Sequence, residues 1–217
     1  MVFIDRRDAG RHLAAALTAL SERRPFDSPV VMGLPRGGVP VAAEVAAALG
    51  APLDVLIVHK VRSAQEPSFA LGAVGEDGVR VMNDRYLGIV NVPETELDPL
   101  EARERALLER RAAFYRESQP AIPLAGCTAI VVDDGINSGA TAQVACRVAR
   151  LHGAAAVVLA VPVAPASWEN RMGSGADDYV CVVSPDDFTT VADCYEDFAP
   201  ITDEEVIVHL RAARVPR

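Results

Sequence analysis

The chain has 217 residues, half of them hydrophobic, and a formal net charge of −9. That length allows one α/β domain with a full core, or one domain plus a small subdomain. The acidic balance excludes a non-specific nucleic-acid binder, because a polyanion could be held only locally, by backbone N–H groups, a few Arg or Lys side chains, or a divalent cation. No window is long and apolar enough to cross a bilayer. The opening MVFIDRRDAG is charged within a few residues and has no apolar signal core, so a cytoplasmic location without membrane contact is expected. Cys127, Cys146, Cys181 and Cys194 form no CxxC and no metal-ligand spacing, and reduced thiols are expected.

Apolar positions Leu13, Leu17 and Leu20 predict a helix over about 5–22, with Asp5 as its N-cap. Pro29–Leu34 reads as a buried strand. Val39–Leu49 reads as an Ala/Val-rich helix closed by Gly50. Leu53–His59 reads as a second buried strand. A loop and hairpin follow from Val61, with Asp77-Gly78 as the turn. Glu94–Glu117 is the longest predicted helix; its run EARERALLERR reads as a solvated face with local ion pairs. Thr128–Val132 is a strand, Gly139–Leu151 a helix ended by Gly153, and Ala155–Val161 and Asp178–Val183 are strands. Trp168 reads as a packing residue. Thr202 and Glu205 are spaced as a capping box for a closing helix. Strands alternating with helices imply right-handed βαβ units and a Rossmann-like α/β fold with a central, mostly parallel sheet. Ligands of such sheets sit at the carboxyl ends of the strands, here after Leu34, His59 and Val132.

One of those ends carries IVVDDGINSGAT, residues 130–141. It lacks the GxGxxG and GxxxxGK[ST] spacings. Backbone N–H groups at a helix start, with the Ser138 and Thr141 hydroxyls, suit a phosphate monoester. Asp133 and Asp134 would repel that phosphate if they pointed at it. They can instead accept hydrogens from a vicinal diol further along the same ligand, which describes a ribose 5-phosphate. An acid pair that only caps the turn is the alternative. In Gly33-Leu34-Pro35-Arg36-Gly37-Gly38, the glycines let backbone amides approach a pyrophosphate, and Arg36 supplies a guanidinium fork.

VVDDGINSGAT resembles the PRPP-binding signature of type I phosphoribosyltransferases, and the Arg36-Gly37-Gly38 loop resembles that family's pyrophosphate loop. His59-Lys60-Val61-Arg62 and the hairpin after it are similar to the family's hood, and SPDDFTTVADCYEDF to its base-binding tail. The resemblance runs in order from about Val30 to Phe198. It implies a single phosphoribosyltransferase domain over 1–217, with a flexible hood at about 60–82 and an acceptor-side segment at about 162–200. It also implies Mg²⁺-dependent transfer of 5-phosphoribosyl from PRPP to a nucleobase or another small metabolite, with release of pyrophosphate. A non-catalytic PRPP or nucleotide sensor of the same fold is the alternative.

The implied roles divide by ligand part. Asp133 and Asp134 are the catalytic acids, and they are candidate metal ligands, partly through water. They share the ribose diol and 5-phosphate with Gly135, Asn137, Ser138, Gly139, Ala140 and Thr141. Pro35, Arg36, Gly37, Gly38, Lys60 and Arg62 would hold pyrophosphate. Asn137 and Phe188 would meet the acceptor, and Glu66 is a candidate for its proton. Asn137 stands where the family's 6-oxopurine enzymes carry an Asp, which argues against their proton-transfer chemistry at that position. The family often has a cis peptide in the pyrophosphate loop, and Pro35 makes Leu34–Pro35 the expected bond. Gly72 and Gly75 are expected to let the hood move. A homodimer is a possible assembly.

Overall fold

The computed structural model describes residues 2–62, 70–82, 94–117, 119–166, 168–173 and 175–213. Five strands form the central sheet: β1 (Val30–Gly33), β2 (Leu53–Val55), β6 (Thr128–Val132), β7 (Ala156–Val163) and β8 (Asp178–Val183). Their order is β2-β1-β6-β7-β8, and every neighbouring pair is parallel. Three more strands, β3 (Val58–Arg62), β4 (Ala70–Gly75) and β5 (Arg80–Met82), form a separate antiparallel sheet. The helices are α1 (Arg6–Arg23), α2 (Gly38–Leu49), α3 (Glu94–Arg116), α4 (Ala140–Leu151), the short α5 (Glu169–Met172) and α6 (Asp203–Ala212).

The central sheet is covered on both sides, so its strands read as continuous apolar runs. The pleat sends alternate residues to opposite faces. Ile130, Val132, Val158 and Ala160 join the core with Leu13, Leu17, Val41 and Leu210 from α1, α2 and α6. Ala129, Val131, Val157 and Leu159 face the other way, onto Ala142, Ala145 and Val148 of α4. Asp5 caps α1 by accepting from Asp8 N–H at 2.8 Å, and the Thr202–Glu205 capping box starts α6. Among the described residues no helix is long and apolar enough to cross a membrane.

The stretch read as one strand over Leu53–His59 is two. Leu56 N–H donates to Gly33 O at 3.1 Å, the chain then leaves the central sheet, and Val58 begins the second one. Leu56 and Ile57 stay buried through the crossing, so the apolar run carries no mark of the break. The hairpin turn falls at Asp77-Gly78 as expected, with φ of 56° and 76°. Gly72 and Gly75 are packing positions rather than evident hinges. A Cβ on Gly72 would lie 2.6 Å from Val81 O, and one on Gly75 would lie 2.9 Å from Val148 Cγ1. The charged face of α3 is not only local. Glu101 accepts from Arg105 at 2.9 Å and also from Arg80 on β5 at 2.6 Å, and Glu104 meets His59 at 3.3 Å. Arg116 bridges Glu76 and the fully buried Asp54, tying α3 to both sheets. Glu66, with the rest of 63–69, lies outside the described residues.

Candidate active site

Strands β1 and β6 lie side by side and end together, so the loops after them meet. Leu34 N–H donates to Val132 O at 2.8 Å. The loop after β1 then doubles back into α2 through a cis Pro35–Arg36 bond, one residue later than the expected Leu34–Pro35. Its glycines press on the acids. A Cβ on Gly38 would lie 2.6 Å from Val132 O and 2.8 Å from Asp133 Cα, and one on Gly37 would lie 2.0 Å from Asp134 Oδ2. These positions exclude any side chain, whatever ligand approaches from the other side. Arg36 itself is exposed.

After Val132 the chain turns through Asp133 to Gly139 and enters α4. Gly139 caps the helix at φ 78° and, as a glycine, has no side chain to bond the first turn, whose N–H groups have no intrahelical partners. Ile136 N–H donates to Val163 O at 2.9 Å, which fixes the loop to the end of β7. Asp134 N–H donates to Asp133 Oδ1 at 2.9 Å. Burial pushes Asp133 well above the ordinary carboxylate range, and the charge on Asp134 adds to this. Burial raises Asp134 too, against the opposing pull of Arg6.

A cavity of about 440 Å³ opens over this turn. Asp133 to Gly139 and Thr141 line one side, Lys60 enters from β3, and Thr190 to Ala192 and Phe198 form the opposite wall. Burial lowers the pKa of Lys60, Arg62 does the same, and Asp133 acts against both. Arg62 is exposed and does not line the cavity, and neither do Arg36 and Ala140. Asn137 lies between the two walls: its Oδ1 accepts from Val191 N–H at 3.3 Å. That bond uses the side-chain carbonyl, so the NH₂ group is what Asn137 can offer a ligand.

The wall opposite the acids differs from the sequence expectation. Phe188 packs against the cluster of Phe3, Val191 and Tyr195 and does not line the cavity. The aromatic that lines the cavity is Phe198. This wall is held by the N-terminal segment. Phe3 N–H donates to Cys194 O at 2.9 Å, Glu196 N–H donates to Phe3 O at 2.8 Å, and the Tyr195 hydroxyl donates to Asp134 O at 2.6 Å. Arg6 completes it, with Nε donating to Asp134 Oδ2 at 2.9 Å. Sequence reading passed over Arg6 and Phe198. A signal existed for Arg6: a cation in the first turn of a helix opposes the helix dipole and calls for a specific partner. Trp168 is buried and meets the edge of Tyr179, a packing role as expected.

The family model of the phosphoribosyl transferase domain matches residues 6–199. Two Mycobacterium tuberculosis proteins, from strains H37Rv and CDC 1551, are 47% identical over 212 residues and are provisionally named phosphoribosyl transferases. The match covers 98% of this chain but 47% of theirs, so the chain spans about half the length of these relatives. The crystal structure of TT1426 from Thermus thermophilus superposes with a TM-score of 0.87 at 42% identity, covering 98% of this chain and 99% of that one. A hypoxanthine-guanine phosphoribosyltransferase from Bacillus anthracis shares the fold at 12% identity and a TM-score of 0.50, with coverage of 86% and 84%. With its parallel sheet, its separate small sheet and this family match over most of its length, the chain belongs to the phosphoribosyltransferase family.

Proposed function

We propose that this protein transfers the 5-phosphoribosyl group of PRPP to a small acceptor and releases pyrophosphate. The observation that carries the reading is the turn after β6. A part-buried acid pair sits beside the glycine-capped start of α4, and Gly37 and Gly38 are packed directly on the acids. The 5-phosphate takes the N–H groups of Ser138 to Thr141 and the hydroxyls of Ser138 and Thr141. The ribose diol gives its hydrogens to Asp133 and Asp134. The pyrophosphate lies toward Gly37-Gly38 and Lys60, with Arg36 and Arg62 as the exposed cations that can fold over it.

Among the described residues no group of three or more His, Cys, Asp or Glu side chains could hold a metal ion. Two carboxylates are the acidic side chains lining this cavity. That set fits Mg²⁺, which keeps several waters and is bound through one or two carboxylates plus substrate phosphates. Asp133 and Asp134 would hold it, partly through water, and it would offset the charge of the departing pyrophosphate.

The bond from C1 to the pyrophosphate oxygen breaks, and pyrophosphate leaves with the electron pair. Positive charge develops on C1 and the ring oxygen. Asp133 and Asp134 grip the neighbouring hydroxyls and supply negative potential to that charge without forming a covalent bond. The acceptor's lone pair then bonds to C1, and its proton passes to solvent or to a nearby base. Asn137 orients the acceptor through its NH₂ group but cannot take that proton. Phe198 offers an apolar ring surface against which a flat acceptor can lie.

The test is release of pyrophosphate from PRPP and Mg²⁺ over a panel of nucleobases and amine- or hydroxyl-bearing metabolites. The reading expects release that depends on one acceptor class. PRPP binding with no release for any acceptor class would favour a sensor of the same fold.

A further inference from the structure

Arg6 comes from the far end of the chain and does not line the cavity, but it bonds to two residues of or beside its walls, Asp134 and Ala199. It occupies the first helical position of α1, where the helix's own dipole disfavours a cation. Its side chain is 9% exposed. A buried guanidinium is retained only where its donors are used. Nε donates to Asp134 Oδ2 at 2.9 Å, Nη1 donates to Ala199 O at 2.8 Å, and the guanidinium carbon lies 3.8 Å from the centre of the Phe198 ring. A Cβ on Gly37 would come within 3.2 Å of the same Nε. One planar group therefore touches the second acid, the main chain of the acceptor-side wall, the aromatic that lines the cavity and the edge of the loop after β1.

These contacts are more than a fold needs for stability. Asp134 could be neutralised by any cation, but only a planar fork can pair with a carboxylate, bond a carbonyl and lie on a ring at once. The bond to Oδ2 fixes the rotation of the carboxylate. The contact with Phe198 sets where the opposite wall stands relative to that carboxylate.

We propose that Arg6 is a positioning residue for phosphoribosyl transfer: it fixes Asp134 against the ribosyl group and holds the Phe198 wall in register with it. This rests on the reading of the cavity as a phosphoribosyl-transfer site. Arg6 touches no reacting atom. It acts through Asp134 and Phe198, so its loss lowers turnover and raises the acceptor KM.

The experiment compares wild type with Arg6→Ala, Arg6→Gln and Arg6→Lys by steady-state kinetics and thermal unfolding. Lysine keeps the charge beside Asp134 and preserves folding if the alanine variant does not fold. The expected result is a kcat ~10–100-fold below wild type in every folded variant, Arg6→Lys included, with the acceptor KM raised. Arg6→Lys should recover melting temperature without recovering kcat, a split that a purely structural role does not give. A folded Arg6→Lys or Arg6→Gln protein with wild-type kcat and acceptor KM overturns the proposal while leaving the phosphoribosyl-transfer reading intact. Absence of pyrophosphate release by the wild type with every acceptor overturns both.

Discussion

The two walls of the cavity are built in opposite ways. The side proposed for the donor comes from two short contiguous stretches, 33–38 and 133–141, each hung on the end of a central strand, and the second of them lines the cavity. Backbone does most of the work there: an open helix start, glycines pressed on acids, a turn pinned to β7. The acceptor side is built from side chains brought together across the whole length of the chain. Arg6 meets residues 128 and 193 positions away, and Asn137 reaches Val191 across 54. A wall built from local backbone can change little without losing its ligand. A wall assembled from distant side chains can change residue by residue and accept a different partner.

That contrast can be broken by substitution, and the acid pair gives the largest effect. Changing Asp133 and Asp134 together to Asn should lower transfer by about three orders of magnitude or more, since both diol contacts and the negative potential are lost. Pyrophosphate-release kinetics measure it, and near-normal rates would reduce the pair to turn caps. Gly37→Ala comes next. Its methyl group would fall 2.0 Å from Asp134 Oδ2, so the loop must shift. Overpacking of this kind costs roughly 1–3 kcal/mol in stability, and PRPP affinity should fall with it by calorimetry. Arg36→Ala should weaken PRPP and pyrophosphate by about 1.5–3 kcal/mol while barely affecting ribose 5-phosphate, because its charge-assisted contact belongs to one end of the ligand. Equal losses for all three ligands would place the pyrophosphate elsewhere.

On the acceptor side the effects are smaller and selective. Phe198→Ala should raise the acceptor KM about tenfold, leave PRPP affinity nearly unchanged, and exceed the effect of Phe188→Ala, since Phe188 does not line the cavity. The smallest effect expected is one of stability. Asp133 is raised in the folded state, so folding favours its protonated form. The stability this adds is present below the unfolded carboxylate pKa of about 3.9 and is lost as pH rises through the folded value. Asp133→Asn removes that loss and keeps an oxygen that can accept from Asp134 N–H. The variant should melt above wild type near neutral pH, and the gap should close in acid. A wild type whose stability rises with pH across that window, relative to the variant, would mean that folding does not raise this carboxyl's pKa.

The same division decided what could be read from the sequence. The turn after β6 was legible as part of a ligand-sized cavity because its residues are consecutive. A β-branched strand, two acids and a hydroxyl-bearing helix start fix geometry locally, and the structure brings Asp133 to Gly139 and Thr141 to one cavity with Lys60. The central sheet was legible for a similar reason: both its faces are buried, and each strand is a continuous apolar run. The break at Leu56-Ile57 was hidden because the chain stays apolar and buried while it changes sheets. The acceptor wall was hidden because no local pattern separates Phe188 from Phe198 in the same segment. Which of the two faces the ligand depends on the N-terminal segment pairing with residues 194–197. Arg6 showed only as a charge in the wrong place on its own helix.

The central claim is that the cavity after β6 takes the diol and phosphates of PRPP. Calorimetric titration of PRPP with Mg²⁺ into wild type and into the Asp133→Asn/Asp134→Asn variant tests it most directly. The account predicts saturable binding to the wild type, with a raised melting temperature, and loss of most of that affinity in a variant that is still folded. No binding to the wild type, or equal binding to both proteins, would contradict it.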